Sequence, residues 1–306
     1  MILEPQLALP KLKKELTNNH LCLFAGSGIS IDSGLKDWDG FVKEYIDLCS
    51  EFSDFLKKVA PELSFEELIA DARNYVSSDQ IGTVSALRDK IKEIRAQGYN
   101  TDTIDNKLLQ NFQNKVPNEY HHLIVNTMYK QIITTNYDNL LEKAAEADNH
   151  PDLLMRSYTY TDTDNIASAI YQGYTSLIYA HGKMSDIKLD EIVLTHQDYT
   201  NIVNGHLAFK LLIESLFVHN SVLFVGYGGS DPHFEDVLTE VNSVMHWSLD
   251  DERLPTCYIM IKREKVTSIR ETLNSSKRIS LIPFDEYSDM KPFLKELQNV
   301  SPRPSL

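Results

Sequence analysis

The stretch LCLFAGSGISIDSG at residues 21–34 sets the first element of the fold and raises the first question about function. A short apolar run ends abruptly in Gly26-Ser27-Gly28, and small polar residues follow it. Such a run is typical of a strand that is buried on both faces of a parallel sheet. A packed core gives no reason for the glycines, so the turn after the strand is a candidate binding site.

Further apolar runs of the same kind occur along the chain, and helical patterns separate them. The runs are residues 131–135, 176–180, 221–226, 257–261 and 279–284, and helical patterns follow at 139–147 and 232–245. Strands that alternate with helices favour parallel βαβ units. The pattern therefore predicts an α/β fold with a doubly wound, Rossmann-like parallel sheet.

Residues 40–120 interrupt this alternation, because they contain no convincing strand. Their apolar residues recur every three or four positions, as in an amphipathic helix. Ser64 and Glu67 have the spacing of a capping box, and the helical pattern around residues 84–94 ends before Gly98. We expect a single domain over residues 1–306 with a helical insertion at 40–120. The terminal SPRPSL is predicted to be disordered.

Composition restricts the class of protein. The net charge of −14 argues against direct binding to nucleic acid. Cys22, Cys49 and Cys257 form no C-x-x-C pair, so neither a structural metal site nor a disulfide framework is expected. There is no signal-peptide core and no apolar run of 18 residues, so no membrane association is expected. These features predict a reduced, cytoplasmic protein.

The glycine turn fits a phosphate-binding site. A helix that starts after a strand offers unpaired N–H groups and a partial positive charge, and glycine permits a close approach to them. Gly26, Ser27, Gly28 and Ser30 are the candidate contacts. The turn is not a complete G-x-G-x-x-G motif, because Ile31 stands at the last position. The alternative is a plain structural turn.

Three later stretches also place polar residues after predicted strands, where open α/β sheets bind ligands. ITTNYDNLLE at 133–142 supplies Thr135, Asn136 and Asp138, although Asn136 or Asp138 would also serve as a helix cap. IYAHGK at 178–183 supplies His181, whose alternative is a structural role.

The last of these stretches, LFVGYGGSDPHFEDVL at 223–238, is a glycine-rich turn after the fourth strand. It supplies Gly226, Ser230 and Asp231. It is also compatible with a simple turn that carries a good N-cap.

Together, and in this order, the four stretches resemble the sirtuin-like family, specifically its bacterial branch of nicotinamide-dinucleotide hydrolases. GSGISIDSG, TTNYD, HG and GYGGSDP are similar to the motifs of that family, and the resemblance covers roughly residues 20–290. Departures from the family pattern are Ser27 in place of alanine, Lys36 in place of proline and Gly228 in place of serine. The four-cysteine zinc module of the protein-deacylating sirtuins is missing, which disfavours protein deacylation.

The resemblance implies an NAD⁺ glycohydrolase that cleaves the bond between nicotinamide and ribose, with NAD⁺ as substrate and no metal. Asn136 would orient the attacking water or a ribose hydroxyl, and His181 would bind a ribose hydroxyl and accept a proton. Asp138 would bind the carboxamide of nicotinamide or steady Asn136.

The remaining candidates are implied contacts to the rest of NAD⁺. Gly26, Ser27, Gly28 and Ser30 would hold the pyrophosphate. Gly226 and Ser230 would contact the adenosine half, and Asp231 would cap the following helix. Thr135 completes the set of NAD⁺-binding candidates.

The resemblance also implies a biological setting, an effector of bacterial antiphage defence that acts by depleting NAD⁺. Such an activity must be regulated. We expect the regulation to come from a homo-oligomer or from a partner defence protein that binds through residues 40–120. The alternatives are a non-catalytic module that senses NAD⁺ or ADP-ribose and, with less support, a protein deacylase. Weaker site candidates are His121 and His122 in a presumed helix, and His196 and His233 near motif ends.

Overall fold

The computed structural model describes residues 1–184, 192–228, 255–268 and 279–304. Within these ranges the chain forms one parallel sheet in the order β3-β4-β2-β1-β5-β6-β7. The strands are β1 (Leu21–Ala25), β2 (Ile132–Thr134), β3 (Ser157–Thr159), β4 (Leu177–Tyr179), β5 (Ser221–Val225), β6 (Cys257–Lys262) and β7 (Ile279–Phe284).

Helices cover both faces of this sheet and fill the connection between β1 and β2. They are α1 (Pro5–Thr17), α2 (Trp38–Val59), α3 (Glu66–Tyr75), α4 (Gln80–Ala96), α5 (Asp102–Gln110), α6 (Glu119–Val125), α7 (Leu140–Ala147), α8 (Pro151–Leu154), α9 (Thr163–Tyr171), α10 (His196–Gly205), α11 (Leu207–His219) and α12 (Met290–Gln298). The predicted helix at 232–245 lies outside the described residues. The predicted doubly wound parallel sheet is confirmed.

Strand β3 is the one strand of the described residues that the sequence pattern missed. It is three residues long and lies at the edge of the sheet, where its residues are only half-buried. A short edge strand of this kind needs no apolar run, so it gives no hydrophobic signal.

The core has two layers because successive side chains of a strand point to opposite faces of the sheet. In β1, Leu21, Leu23 and Ala25 belong to one buried cluster, together with side chains of α1, α6, α7 and α12. Cys22 and Phe24 belong to the other, which includes side chains of α9 and α11. Burial on both faces explains the continuous apolar runs.

A third buried cluster joins α2, α3, α4 and α5 between β1 and β2. Tyr137, Met184, Ile192 and Leu194, from loops beyond β2, also belong to this cluster. The helices are therefore packed onto the loops that follow β2 and β4, at the carboxyl edge of the sheet.

Two local predictions are wrong. Ser64 does not cap α3, which begins at Glu66 without a side-chain cap. Its hydroxyl lies 3.1 Å from that of Ser53, which accepts a hydrogen bond from the Phe65 N–H at 3.0 Å. A neighbouring helix has therefore taken the place of the predicted local cap.

The C-terminal segment is the second correction, because residues 301–304 are held against the fold. The Arg303 guanidinium is buried and donates to the carbonyl oxygens of Val125 and Thr127 at 2.8 and 3.3 Å. Its Nη1 lies 3.6 Å from a carboxylate oxygen of Asp152. The terminal position predicted disorder for SPRPSL, whereas carbonyls at and just beyond the end of α6, which have no helical partners, supply specific acceptors for an arginine. Residues 305 and 306 of this segment lie outside the described residues.

None of the helices in the described residues combines the length and apolarity that crossing a bilayer requires.

Candidate active site

The carboxyl ends of β1, β2, β4, β5 and β6 meet around an open cleft with a cavity volume of about 260 Å³. All of the catalytic and NAD⁺-binding candidates in the described ranges line this cleft: Gly26, Ser27, Gly28, Ser30, Thr135, Asn136, Asp138, His181 and Gly226. The weaker candidates His121, His122 and His196 do not line it. Ser230 and Asp231 lie outside the described residues. The fold therefore brings together positions that are up to 200 residues apart, since Gly26 and Gly226 both line the cleft.

Glycine is required in both turns because the two turns pack closely against each other. A Cβ atom on Gly26 would lie 2.6 Å from the Gly226 carbonyl oxygen, and one on Gly28 would lie 2.8 Å from the Gly226 Cα. Gly226 itself has a φ of +68°, and a Cβ there would lie 2.6 Å from the Ile29 nitrogen. The missing side chains thus let the loops after β1 and β5 pack backbone against backbone.

Backbone hydrogen bonds complete this junction. Gly26 N donates to the Val225 carbonyl at 2.9 Å, and Gly28 N donates to the Gly226 carbonyl at 2.9 Å. Ile29 N donates to the Gly26 carbonyl at 3.2 Å. The N–H groups of Gly26, Gly28 and Ile29, which were candidates to bind phosphate, therefore already donate to carbonyls within the junction.

Hydrogen bonds at the end of β2 hold both the backbone and the side chain of Asn136 in place. The Thr134 hydroxyl donates to the Ala25 carbonyl at 2.9 Å and accepts from the Asn136 N–H at 3.1 Å. The Asn136 Nδ2 lies 3.3 Å from the Gly26 carbonyl, which can only accept, so the amide orientation is determined. Among the described residues, no donor reaches the buried Asn136 Oδ1. This oxygen is available to accept from a water or a hydroxyl at the cleft.

A buried network beneath Asn136 joins Ser30, His121 and Asp138. The Asn118 N–H donates to His121 Nδ1 at 3.1 Å, so the proton of the neutral ring lies on Nε2. That Nε2 lies 3.2 Å from the Ser30 hydroxyl, which donates to Asp138 Oδ2 at 2.9 Å. The hydroxyl also lies 3.3 Å from Asn136 Nδ2, so Ser30 links the network to the amide.

Burial determines the charge state of this network. Burial, reinforced by the nearby His122, lowers the pKa of His121 to about 3. Burial also raises the pKa of Asp138, opposed by hydrogen bonds from the Leu140 N–H and Ser30. His121 is therefore neutral near pH 7 and acts as a donor to Ser30. Asp138 accepts from the Ser30 hydroxyl, which also contacts Asn136, and its role toward Asn136 or the nicotinamide carboxamide stays a prediction.

The sequence treated His121 only as a weak candidate in a presumed helix. The clue in the sequence that would have pointed to His121 is the spacing Asn118-x-x-His121. His121 occupies the third position of α6 and forms a capping box with Asn118. The Asn118 side chain also donates to the Ile29 carbonyl and to the Ser33 hydroxyl, at 2.7 and 3.0 Å. The start of α6 is thereby fastened to the turn that carries Ser30.

His181 follows β4 as Asn136 follows β2, and the two strands are neighbours whose last residues, Tyr179 and Thr134, pair with each other. It is 2% exposed, and burial lowers its pKa to about 3. The Tyr199 ring meets the imidazole edge to face with centroids 5.2 Å apart, and the His181 carbonyl accepts from Val193 N at 3.1 Å. A neutral ring of such low basicity favours hydrogen bonding to a hydroxyl over holding a proton.

An aromatic wall of Trp38, Phe41, Phe112 and Tyr137 also lines the cleft. The Trp38 and Phe41 rings stack with centroids 5.5 Å apart, and Phe41 contacts Phe112 and Tyr137 at 6.4 and 6.0 Å. Aromatic faces attract cations, so this wall suits a flat cationic ring. The sequence did not single out these four residues as site candidates, because their convergence depends on the packing of α2 onto the loop after β2.

Within the described ranges, no group of three or more His, Cys, Asp or Glu side chains is arranged to hold a metal ion. Cys22 and Cys49 are buried, and burial raises the pKa of each thiol to about 12. Neither thiol is therefore a nucleophile near neutral pH.

Comparison with known proteins adds independent information. Residues 130–282 match the family model of the SIR2-like domain. The chain is 22% identical to the NAD(+) hydrolase ThsA of Enterococcus faecium, in an alignment that covers 97% of this chain and 59% of that protein. It is also 22% identical to the NAD(+) hydrolase ThsA of Acinetobacter baumannii, in an alignment that covers 96% of this chain and 56% of that protein. Defense-associated sirtuin 2 of Bacillus subtilis is 25% identical over 76% of this chain and 20% of its own. The chain thus spans less than three fifths of the length of these relatives.

Proposed function

The chain belongs to the SIR2-like domain family, and from this premise we propose that it hydrolyses NAD⁺ to nicotinamide and ADP-ribose. One observation carries the proposal. Asn136 and His181, 45 residues apart in the chain, line one cleft at the ends of adjacent strands, beside the glycine junction. A site of this composition places a hydroxyl-binding amide and a neutral imidazole where an open α/β sheet binds a dinucleotide.

The reaction itself needs little acid catalysis. The bond between C1′ of the ribose and the nicotinamide nitrogen breaks, and its electron pair neutralises the pyridinium, so the leaving group departs without a proton. A water oxygen forms the new bond to C1′ and releases one proton. The site has to stabilise the positive charge that develops on the ribose and to place the water.

The named residues suit these tasks. Asn136 Oδ1 would accept from the attacking water or a ribose hydroxyl, while Gly26 and Ser30 hold the amide in place. His181 would accept a hydrogen bond from a ribose hydroxyl. The aromatic wall that includes Trp38 would hold the pyridinium ring by cation–π attraction before the bond breaks.

We also propose that the protein is a cytoplasmic effector of antiphage defence, on the basis of the ThsA proteins and defense-associated sirtuin 2 to which it is similar. A hydrolase of a central cofactor harms its own cell, so its activity has to be gated. Trp38, Gln80 and Phe112 line the cleft and come from the segment between β1 and β2. Contacts of residues 40–120 with further copies of the chain or with a partner defence protein would therefore act directly on the site.

The test is product analysis of the full chain incubated with NAD⁺, separated by size beforehand so that assembled species are assayed. Nicotinamide and ADP-ribose should appear in equal amounts. Asn136→Ala should abolish their release, with an unchanged circular dichroism spectrum. The same turnover in the variant would refute the role of Asn136. NAD⁺ that binds to every species but is cleaved by none would instead identify a sensor module.

A further inference from the structure

The acidic residues of the described ranges that line the cleft all lie on one side of it. Asp37, Asp39 and Asp138 lie at the side formed by β2 and the start of α2. Lys262 and Lys265 lie at the opposite side, where β6 ends, and no acidic residue of the described ranges lines the cleft beside them. A third lysine, Lys36, lies near α2 and is 3.4 Å from Glu44.

The proposed reaction determines which end of the dinucleotide lies at each side of the cleft. The inference that follows rests on that proposed function. Nicotinamide and its ribose belong at Asn136 and His181, after β2 and β4. The order β4-β2-β1-β5-β6 places β6 four strand spacings from β4, or about 19 Å. The pyrophosphate then crosses the glycine junction of β1 and β5, and the adenosine ribose lies towards β6.

The two lysines beside β6 differ in their partners. Lys262 is the last residue of the strand, and its Nζ lies 2.9 Å from Glu286 Oε2 and 5.3 Å from the centre of the Tyr287 ring. Lys265 is exposed, and no ion pair within the described ranges includes it. Lys262 is therefore fixed by its neighbours, while Lys265 has an ammonium group to offer to a ligand.

We propose that Lys265, supported by Lys262, binds a phosphate on the 2′-oxygen of the adenosine ribose, so that NADP⁺ is a substrate as well as NAD⁺. Dinucleotide sites that are selective for NAD⁺ use a carboxylate for the free 2′-hydroxyl, and sites that accept NADP⁺ place a cation there. Beside β6 the charged side chains of the described residues that line the cleft are two lysines. The carboxylates of Glu264 and Glu286, which lie 3.9 and 2.9 Å from Lys262, do not line the cleft. The phosphate would pair with ammonium groups without displacing the pyrophosphate from its junction.

Binding of the two products to the full chain tests the proposal without turnover. Calorimetry with ADP-ribose and with ADP-ribose 2′-phosphate should show tighter binding of the phosphorylated compound, with an advantage that shrinks as salt is added. Equal affinity, or weaker binding of the 2′-phosphate, would overturn the proposal and leave the proposed function standing. Failure of both compounds to bind at any concentration tested would instead refute the function on which the proposal rests.

Kinetics of variants assign the effect to a residue. Lys265→Ala should lower the ratio of kcat/KM for NADP⁺ to that for NAD⁺ about tenfold, the effect of one lost charge-assisted hydrogen bond. Lys265→Arg should retain the ratio. Lys57→Ala is the matched control, since Lys57 is paired with Glu66 on the helical segment and does not line the cleft. An unchanged ratio in Lys265→Ala would overturn the assignment.

Discussion

At the scale of single residues, the Ser30 hydroxyl joins three parts of the chain, which are the turn after β1, helix α6 and the loop after β2. It lies within 3.3 Å of His121, Asn136 and Asp138, and its own position is set by the turn after β1. A hydroxyl is able to accept from two donors and donate once, which this arrangement uses in full. Ser30 is therefore placed to hold the Asn136 amide in one orientation.

Ser30→Ala tests this arrangement. The change leaves Asp138 and His121 buried with one partner fewer, so the free energy of unfolding should fall by about 1–3 kcal/mol. Hydrolysis of NAD⁺ should fall with it, because Asn136 loses a contact that orients it. Urea unfolding and initial rates measure the two effects.

The control for Ser30 is Ser33→Ala, which removes the hydroxyl that accepts from the Asn118 side chain and does not line the cleft. This control should change the hydrolysis rate far less. Equal activity of Ser30→Ala and the parent protein would contradict the positioning role.

Two buried histidines predict how stability depends on pH. Burial lowers the pKa of both His121 and His181 to about 3, against about 6.5 in an unfolded chain. The unfolded state therefore binds more protons as the pH falls below 6.5, and each histidine should remove about 2 kcal/mol of stability between pH 7 and pH 5. Asp138, whose pKa is raised, acts in the opposite direction.

Thermal unfolding of the parent and of His181→Gln across this pH range isolates the contribution of His181. The variant should lose less stability on acidification than the parent does, because glutamine does not titrate. Identical slopes for the two proteins would show that His181 is not shielded as the structure indicates. His20→Gln is the control, since the His20 side chain is exposed.

At the scale of elements, the loops after β1 and β5 form one packed joint rather than two separate turns. Gly26, Gly28 and Gly226 contact one another, and β1 and β5 pair along all five residues of β1. The joint brings the two halves of the sheet together at the point where the strand order reverses, which is where such sheets bind ligands. The glycines thus shape the floor of the cleft.

Gly226→Ala should destabilise this joint strongly. The substitution places a Cβ 2.6 Å from the Ile29 nitrogen and forces a positive φ on alanine, at a combined cost of about 2–4 kcal/mol. Gly228→Ala is the matched control two residues away, because within the described ranges no atom other than those of its chain neighbours lies within 4 Å of the position of its Cβ. Equal urea midpoints for the two variants would contradict the packing described here.

At the scale of the whole molecule, the segment between β1 and β2 is attached to the cleft at several points. Trp38 and Phe41 begin α2, Gln80 begins α4, Phe112 follows α5, and all four line the cleft. A movement of these helices therefore changes the walls of the site. This attachment supports the proposal that assembly through residues 40–120 controls hydrolysis.

Activity measured across size-separated species checks this proposal. The isolated monomer should be nearly inactive, and specific activity should rise with assembly. Phe55 and Val59 are exposed apolar residues at the end of α2, so the pair Phe55→Glu and Val59→Glu should prevent assembly and activity together. Leu7→Glu, at an equally exposed position on α1, should change neither. The same specific activity in monomer and assembly would refute the proposal.

The sequence alone determined the elements and the sites that local pattern encodes. Apolar runs predicted six of the strands because burial on both faces of a parallel sheet needs contiguous apolar residues. Residues such as Asn136 and His181 were chosen as site candidates because they follow such strands, and ligands bind at the carboxyl ends of strands in open α/β sheets. The helical character of residues 40–120 was also predicted, because the three- or four-residue spacing of its apolar positions is a local feature of the sequence.

Only the tertiary structure decided the contacts between distant residues. Ser30 meets His121 and Asp138 across 91 and 108 positions of the chain, and no local pattern encodes such a meeting. The mutual packing of Gly26 and Gly226 and the burial of Arg303 depend in the same way on the path of the chain. The physical reason is that hydrogen bonding and close packing act between neighbours in space, whereas a sequence displays only neighbours along the chain.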